Sequence, residues 1–163
     1  MRPIVFAALV VAAFAAMELV SYAAHRWLMH GPGMPWHVSH HRPPTGRVEK
    51  NDLFPVVFSV VGVVLFAAAA AGLTVLWPIA LGVTLYGVAY LLVHEVAIHR
   101  RVRCPVPALR YVRWLQRAHA DHHRSGGEPY GMLLPLGAGR DEPTDESDLL
   151  VRRVAIRRTR SRL

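Results

Sequence analysis

The feature of this chain with the most evident chemistry is a set of ten histidines in two copies of one spacing pattern. Each copy is a His-x4-His box followed by a His-x2-His-His box, at residues 25–41 and again at residues 94–123. The members are His25, His30, His37, His40, His41, His94, His99, His119, His122 and His123. Because the duplicated pattern contains every histidine of the chain, we predict that all ten bind metal.

The type and number of these ligands limit the metal site. Imidazole suits zinc, copper, iron and nickel, so the ligand type alone leaves these ions open. A structural zinc site takes four ligands and usually includes cysteines, whereas this chain has one cysteine, Cys104. Ten histidines exceed what one ion needs, which predicts a site with two metal ions. Iron acting with dioxygen is the chemistry that we favour.

Helical spacing places part of the second copy on one face. In a helix predicted over residues 106–124, His119, His122 and His123 project to the same side. Arginines gather on the opposite side, which makes the stretch amphipathic and typical of a helix at a membrane surface. The His-x4-His pairs fit less well, since they lie about 140° apart on a straight helix at 100° per residue. Either a distorted helix end or ligation of two different ions would resolve that mismatch.

Three apolar runs, residues 3–24, 53–71 and 73–93, are predicted to cross a membrane. About 20 helical residues span a hydrocarbon core, where only a helix satisfies its own backbone. The second and third runs are expected to break around Gly72 and Pro78. A cleaved signal peptide is the alternative for the first run. The predicted fold is an all-α membrane protein with three transmembrane helices and interfacial amphipathic helices that carry a histidine-rich di-metal site.

The basic residues predict the orientation in the membrane. The formal charge is +8, yet none of the 19 lysines and arginines lies between Asn51 and His99, and only Arg2 precedes the first run. Cationic segments confined in this way are typical of cytoplasmic loops. Three spans place residues 25–52 and 94–163 on the same side, so we expect the histidines and the C-terminus to be cytoplasmic. Nucleic acid binding is disfavoured because the basic residues are confined to the segments outside the apolar runs, which is the pattern of a membrane protein.

Four sequence stretches resemble the histidine boxes of bacterial β-carotene hydroxylases, in the membrane fatty acid hydroxylase and sterol desaturase superfamily. They are "MELVSYAAHRWLMHG", "WHVSHHRPPTGRVEKND", "YGVAYLLVHEVAIHRR" and "AHADHH". The resemblance covers residues 15–135 or so and predicts a membrane hydroxylase domain at 1–135 with a charged cytoplasmic tail at 136–163. Glu95, Val96 and Arg100 depart from the Asp, Gly and Gln that are common in the family.

The resemblance implies a non-haem di-iron mono-oxygenase of the plasma membrane. It implies hydroxylation of the β-ionone ring at carbon 3, from β-carotene to β-cryptoxanthin and then zeaxanthin, with O2 as co-substrate. Ferredoxin and ferredoxin-NAD(P)H reductase would supply electrons, the bilayer would deliver the substrate, and the ligand role would carry to all ten histidines. No catalytic side chain beyond the metal ligands is expected.

Two other function classes stay open at this point. One is an oxygenase of the same superfamily that acts on fatty acyl, sterol or ceramide chains, whose members are often longer. The other is a haem-binding membrane cytochrome or a metal carrier. Bis-histidine haem ligation needs histidines that face one another inside the helix bundle, which the clustering outside the apolar runs disfavours.

Four further residues near the histidines have predicted roles. Glu18 lies within the first apolar run on the face of His25, and it either accepts a hydrogen bond from a ligand imidazole or packs between helices. Asp52 either caps the second span or orients a histidine. Tyr86 and Tyr90 either pack in the helical core or line a tunnel for the substrate.

Overall fold

The computed structural model describes residues 1–43, 46, 48–102, 104–107 and 109–136, and within these ranges it is helical without strands. Its five α-helices are α1 (Pro3–Ala23), α2 (Met34–His41), α3 (Leu53–Ala70), α4 (Leu76–Tyr90) and α5 (Arg110–Ser125). Two π-helical segments continue α1 and α4: the first π segment (Ala24–Met29) and the second π segment (Leu91–Ile98). The tail predicted at 136–163 lies outside the described residues apart from Leu136.

Three of the described helical stretches are long and apolar enough to cross a membrane, which confirms the predicted membrane fold. They are Pro3–Met29, Lys50–Ala70 and Leu76–Ile98. The first and third spans end later than the predicted residues 24 and 93 because the π segments continue the helices, and the third begins at Leu76 and not at residue 73. Many of their large apolar side chains face outward, as Val63 does with 67% of its surface exposed. Such exposure is stable in lipid and would be costly in water.

A short turn separates the second span from the third. Gly72 has a φ of 115°, in a region that favours glycine, and the backbone N–H of Leu73 bonds to the carbonyl of Ala68. The break therefore occurs at Gly72, as predicted, but not at Pro78. That proline is the third residue of α4, where a missing backbone N–H costs little.

The chain divides into two compact units, Met1–Tyr90 and Leu91–Leu163. In the first unit α4 packs against α1 and α3. Small residues permit close approach, as is common between membrane helices. A Cβ at Gly82 would lie 2.5 Å from the Val10 carbonyl oxygen and 2.7 Å from the Ala13 Cβ. The α1–α4 contact therefore depends on glycine at this position.

Gly82→Ala is expected to destabilise the protein by about 1–3 kcal/mol, because the added methyl group forces α1 and α4 apart. Gly87 provides a matched control on the same helix, since a Cβ there meets nothing within 4 Å. Gly87→Ala should be neutral or stabilise by up to about 1 kcal/mol. Thermal unfolding of the purified proteins in detergent measures both. Equal unfolding temperatures for the two variants would contradict the close packing at Gly82.

In the second unit, α5 packs against the second π segment. The helix starts at Arg110, later than the predicted residue 106, because Pro105 and Pro107 favour an extended backbone before it. It ends at Ser125 and is capped by Gly126, whose left-handed φ of 70° lets its N–H bond to the His122 carbonyl. The predicted amphipathic character is confirmed. The buried residues of α5 are Leu115, Ala118, His119 and His122, and the exposed ones include Arg110, Arg113 and Arg124.

Candidate metal centres

The first π segment brings the two histidines of the first His-x4-His box together. A π-helix joins each N–H to the carbonyl five residues earlier, and the His30 N–H bonds to the His25 carbonyl at 3.1 Å. Residues five apart are thereby aligned, and the two ring centres lie 5.2 Å apart. Of the two alternatives raised for the straight-helix mismatch, the structure shows the distorted helix end.

The second π segment repeats this geometry at the second box. The His99 N–H bonds to the His94 carbonyl at 2.9 Å, and the two ring centres are 4.5 Å apart. Gln116 of α5 donates a 2.8 Å hydrogen bond from Nε2 to the Ala97 carbonyl, which fixes the segment to α5. Both boxes therefore end an apolar span in a widened helical turn, and both present a pair of imidazoles on one face.

His37 is the centre of the histidine cluster in the first unit. Its Nε2 lies 3.2 Å from the Nε2 of His25, 3.2 Å from that of His30 and 3.1 Å from that of His41. His37 and His41 share a face of α2 because they are four residues apart. The ligand nitrogens of these four histidines all lie within 4.8 Å of one another.

These spacings fit ligands of a common ion. At a metal–imidazole bond length of about 2.1 Å, two ligands lie roughly 3.0 Å apart at a right angle and roughly 3.4 Å apart at the tetrahedral angle. The three distances from His37 Nε2 fall between these values. Imidazole nitrogen is moreover a good donor for iron, zinc and copper. The cluster could therefore hold a metal ion.

The second unit contains its own histidine cluster. The ligand nitrogens of His94, His99 and His119 lie within 4.8 Å of one another, and the Nε2 atoms of His99 and His119 are 2.8 Å apart. The His123 ring centre is 4.5 Å from that of His119. His122, one residue before it, packs its ring against Tyr130 at 5.2 Å. The ring centres of His119, His122 and His123 lie 4.5–5.9 Å from one another, as the predicted shared face of α5 requires.

Hydrogen bonds donated by Nδ1 fix the tautomer of two rings. His37 Nδ1 donates to Asn51 Oδ1 at 2.8 Å, and His122 Nδ1 donates to the Gly127 carbonyl at 2.5 Å. His40 Nδ1 lies 3.6 Å from Glu49 Oε2. A histidine that donates from Nδ1 carries its lone pair on Nε2, which is the arrangement of metal-ligating histidines. The surroundings of His37 and His122 thus prepare Nε2 as the ligand atom.

Burial also keeps imidazoles in the form that binds metal. It lowers the pKa of His30 below its usual value, and the nearby His41 lowers that pKa further. It holds the pKa of His119 well below the usual range, with His123 as the next contributor. Metal ions bind neutral imidazole. Both rings therefore stay neutral at a pH at which an exposed histidine would already be protonated.

The structure also places the other residues with predicted roles. Glu18 is buried in α1, and its Oε2 accepts a 2.7 Å hydrogen bond from the Tyr86 hydroxyl. Tyr90 follows at the end of α4 and is partly buried. Asp52 occupies the N-cap position of α3, but its carboxylate accepts a bond from the Glu49 N–H, in a capping box one turn earlier. The roles of these four residues toward a metal or substrate remain predictions.

Sequence reasoning did not find three residues that contact the histidine rings. Asn51 accepts from His37, Glu49 lies beside His40, and Glu95 accepts from His94 Nδ1 at 2.7 Å. A signal existed for the first two, because "EKND" places four polar residues immediately before an apolar span. Asn51, the neighbour of Asp52, is the residue whose hydrogen bond orients His37.

Asn51→Leu is expected to lower metal affinity by roughly 10–100-fold, because partners that orient a ligand contribute about that much. The leucine is similar in size but offers no acceptor to His37 Nδ1. Asn51→Asp is the matched control, since it keeps an oxygen at the same place. Metal titration of the purified proteins gives the affinities. If Asn51→Leu binds as tightly as the unaltered protein, the hydrogen bond does not orient His37.

Comparison with known proteins adds to this geometry. Residues 10–137 match the fatty acid hydroxylase family. The chain is 44% identical over 124 residues to a β-carotene hydroxylase of Paracoccus sp. (strain PC1), an alignment that covers 75% of this chain and 76% of that protein. It is 41% identical over 130 residues to a β-carotene hydroxylase of Pseudescherichia vulneris, with 77% of this chain and 74% of that protein covered.

A plant protein is also similar. The chain is 35% identical over 134 residues to the chloroplastic β-carotene 3-hydroxylase 1 of Arabidopsis thaliana, which covers 78% of this chain and 43% of the plant protein. No solved structure gives a significant match to the chain.

Proposed function

This chain belongs to the fatty acid hydroxylase family, and within that family we propose that it is a carotenoid 3-hydroxylase. The proposed reaction inserts one oxygen atom of O2 into a C–H bond of the β-ionone ring and releases the other atom as water. It converts β-carotene to β-cryptoxanthin and then to zeaxanthin. The substrate class rests on the bacterial relatives, which are named β-carotene hydroxylases and align with three quarters of this chain.

The observation that carries the proposal is the pair of π segments, each of which aligns a His-x4-His pair at the end of an apolar span. We assign the ligand role to all ten histidines of the chain and iron to two metal positions. Two iron ions would supply the reductive activation of O2 that an unactivated C–H bond requires.

The chain's own residues orient the ligands and exclude water. Asn51 and the Gly127 carbonyl orient the rings of His37 and His122 so that Nε2 is available to bind a metal ion. His25, His37, His94 and His122 are among the most completely buried side chains of the protein. Burial limits the access of water, which would divert a reactive oxidant from the substrate. The Glu18 carboxylate would accept a hydrogen bond from a ligand imidazole. Tyr86 and Tyr90 would line the route by which the apolar substrate reaches the site.

We further propose an orientation and an electron supply. Three spans put the segments that follow the first and third spans on the same side, and the arginine distribution favours the cytoplasmic side of the plasma membrane. Ferredoxin and its NAD(P)H-dependent reductase would supply two electrons per turnover from that side. The carotenoid would enter from the bilayer, against which the spans expose their valines and leucines.

Expression of the full chain in cells that accumulate β-carotene tests the activity. We expect β-cryptoxanthin and zeaxanthin in the extracted pigments, separated by chromatography, and none from cells with an empty vector. The extracted lipids are measured in parallel. Hydroxylated fatty acyl chains together with unchanged β-carotene would contradict the proposed substrate. An intense Soret band in the purified protein would instead indicate haem and contradict the metal assignment.

A further inference from the structure

The third span ends in an unusual backbone turn immediately after the second π segment. Arg100 has a φ of 53°, in the left-handed region that residues with a Cβ adopt at a cost. The next residue, Arg101, donates its backbone N–H to the Glu95 carbonyl, six residues earlier, at 2.9 Å. The turn therefore reverses the direction of the chain and places the backbone of Arg101 against the second π segment.

Side-chain hydrogen bonds also link Arg101 to the second π segment. Arg101 Nη1 donates to Glu95 Oε2 at 2.7 Å, and Glu95 Oε1 accepts from His94 Nδ1 at 2.7 Å. The carboxylate thus bridges an arginine and an imidazole, one through each oxygen. The His94, Glu95 and Arg101 side chains are 2%, 12% and 19% exposed, so water screens the three groups only weakly.

The partner of His94 differs in charge from the partners of two other rings. His37 donates to the amide oxygen of Asn51, and His122 donates to a backbone carbonyl, and both acceptors are neutral. His94 donates to a carboxylate, which makes an imidazole a stronger electron donor through Nε2. A carboxylate next to a metal ligand has this effect only while it is held in place.

We propose that Arg101 is a positioning residue that acts on His94 through Glu95, and that the left-handed turn at Arg100 exists to bring it there. The inference rests on the proposed function, because it takes His94 as a metal ligand. The arginine fixes one carboxylate oxygen, so that the other keeps His94 in the tautomer with its lone pair on Nε2. The negative charge of the carboxylate would then favour the more oxidised state of a metal ion bound by His94.

The test uses full-length protein in detergent, with Co2+ as a spectroscopic probe of the site and with iron for the reduction potential. Arg101→Gln should weaken Co2+ binding by roughly tenfold and shift the cobalt ligand-field bands. Arg101→Lys keeps the charge and should restore most of the affinity. Glu95→Gln keeps an acceptor for His94 without the negative charge, and the iron midpoint potential should move upward in this variant.

Arg100 provides the matched control, since its side chain is exposed and the turn depends on its backbone conformation. Arg100→Gly keeps the turn and should bind Co2+ within about twofold of the unaltered protein, with slightly higher thermal stability. Equal affinity, spectrum and potential for the unaltered protein, Arg101→Gln and Glu95→Gln would overturn the proposed role of Arg101. That outcome would leave the proposed function of the protein untouched. If the unaltered protein binds neither Co2+ nor iron, the proposed function fails together with it.

Discussion

His37→Ala is expected to lower carotenoid hydroxylation by more than about 100-fold and to remove the metal from the first unit's cluster. His37 is the ring whose Nε2 approaches those of His25, His30 and His41 at 3.1–3.2 Å. Its loss removes a donor from the middle of the cluster and leaves the other imidazoles without the geometry for a common ion. Metal analysis of the purified protein and pigment chromatography of expressing cells measure the two effects.

Val38→Ala is the matched control for this loss, because it truncates the next side chain of the same short helix, one that is only partly buried. It should retain the metal content and most of the product. Full metal content together with normal hydroxylation in His37→Ala would refute the ligand role of His37. Normal metal content without hydroxylation would place His37 in the reaction but outside the coordination sphere.

The second large effect is expected from moving one histidine by a single position. Ile98→His combined with His99→Ala should weaken metal binding by about 100-fold or more, as much as His99→Ala alone. The π segment aligns His94 with the residue five positions later, as the 2.9 Å bond between them shows. A histidine at position 98 would project to a different side of the turn.

This pair of variants distinguishes an α-helix from a π-helix at residues 94–99. On an α-helix, residues i and i+4 share a face, so the double variant would rescue the loss caused by His99→Ala. On the π segment it should give no rescue. The single variant Ile98→His keeps all the native histidines and controls for the added imidazole. Recovery of metal binding in the double variant would indicate that the segment is α-helical in the metal-bound protein.

The larger features of the fold were predictable because they depend on composition over many residues. Three apolar runs of membrane length predicted the spans, and the opposed histidine and arginine faces predicted α5. Pro78 shows the limit of residue types as break signals, since the same residue that ends a helix is tolerated in its first turn. Residues 137–163 lie outside the part of the chain that the structure describes, so their predicted role as a tail remains a prediction.

The geometry inside the histidine boxes was less predictable, because the α-helical period was assumed to hold up to each helix end. No residue type marks the change to i→i+5 bonding at Ala24 or Leu91, and only the awkward angle between the paired histidines suggested it. The partners of the rings are also decided by single positions. Asn51 accepts a hydrogen bond from His37, whereas the carboxylate of the next residue, Asp52, accepts one from the Glu49 N–H.

The π segments bear on how proteins of this kind are related to one another. A π segment is a helix that has accommodated one additional residue within a turn. His-x4-His on such a segment and His-x3-His on an ordinary α-helix therefore offer an ion the same pair of rings. Over evolutionary time a box could lose or gain one residue, with the helix type changing along with it and the coordination preserved. A search pattern that requires a fixed number of residues between the two histidines would place such proteins in different groups. A pattern that accepts either spacing would place them in one group.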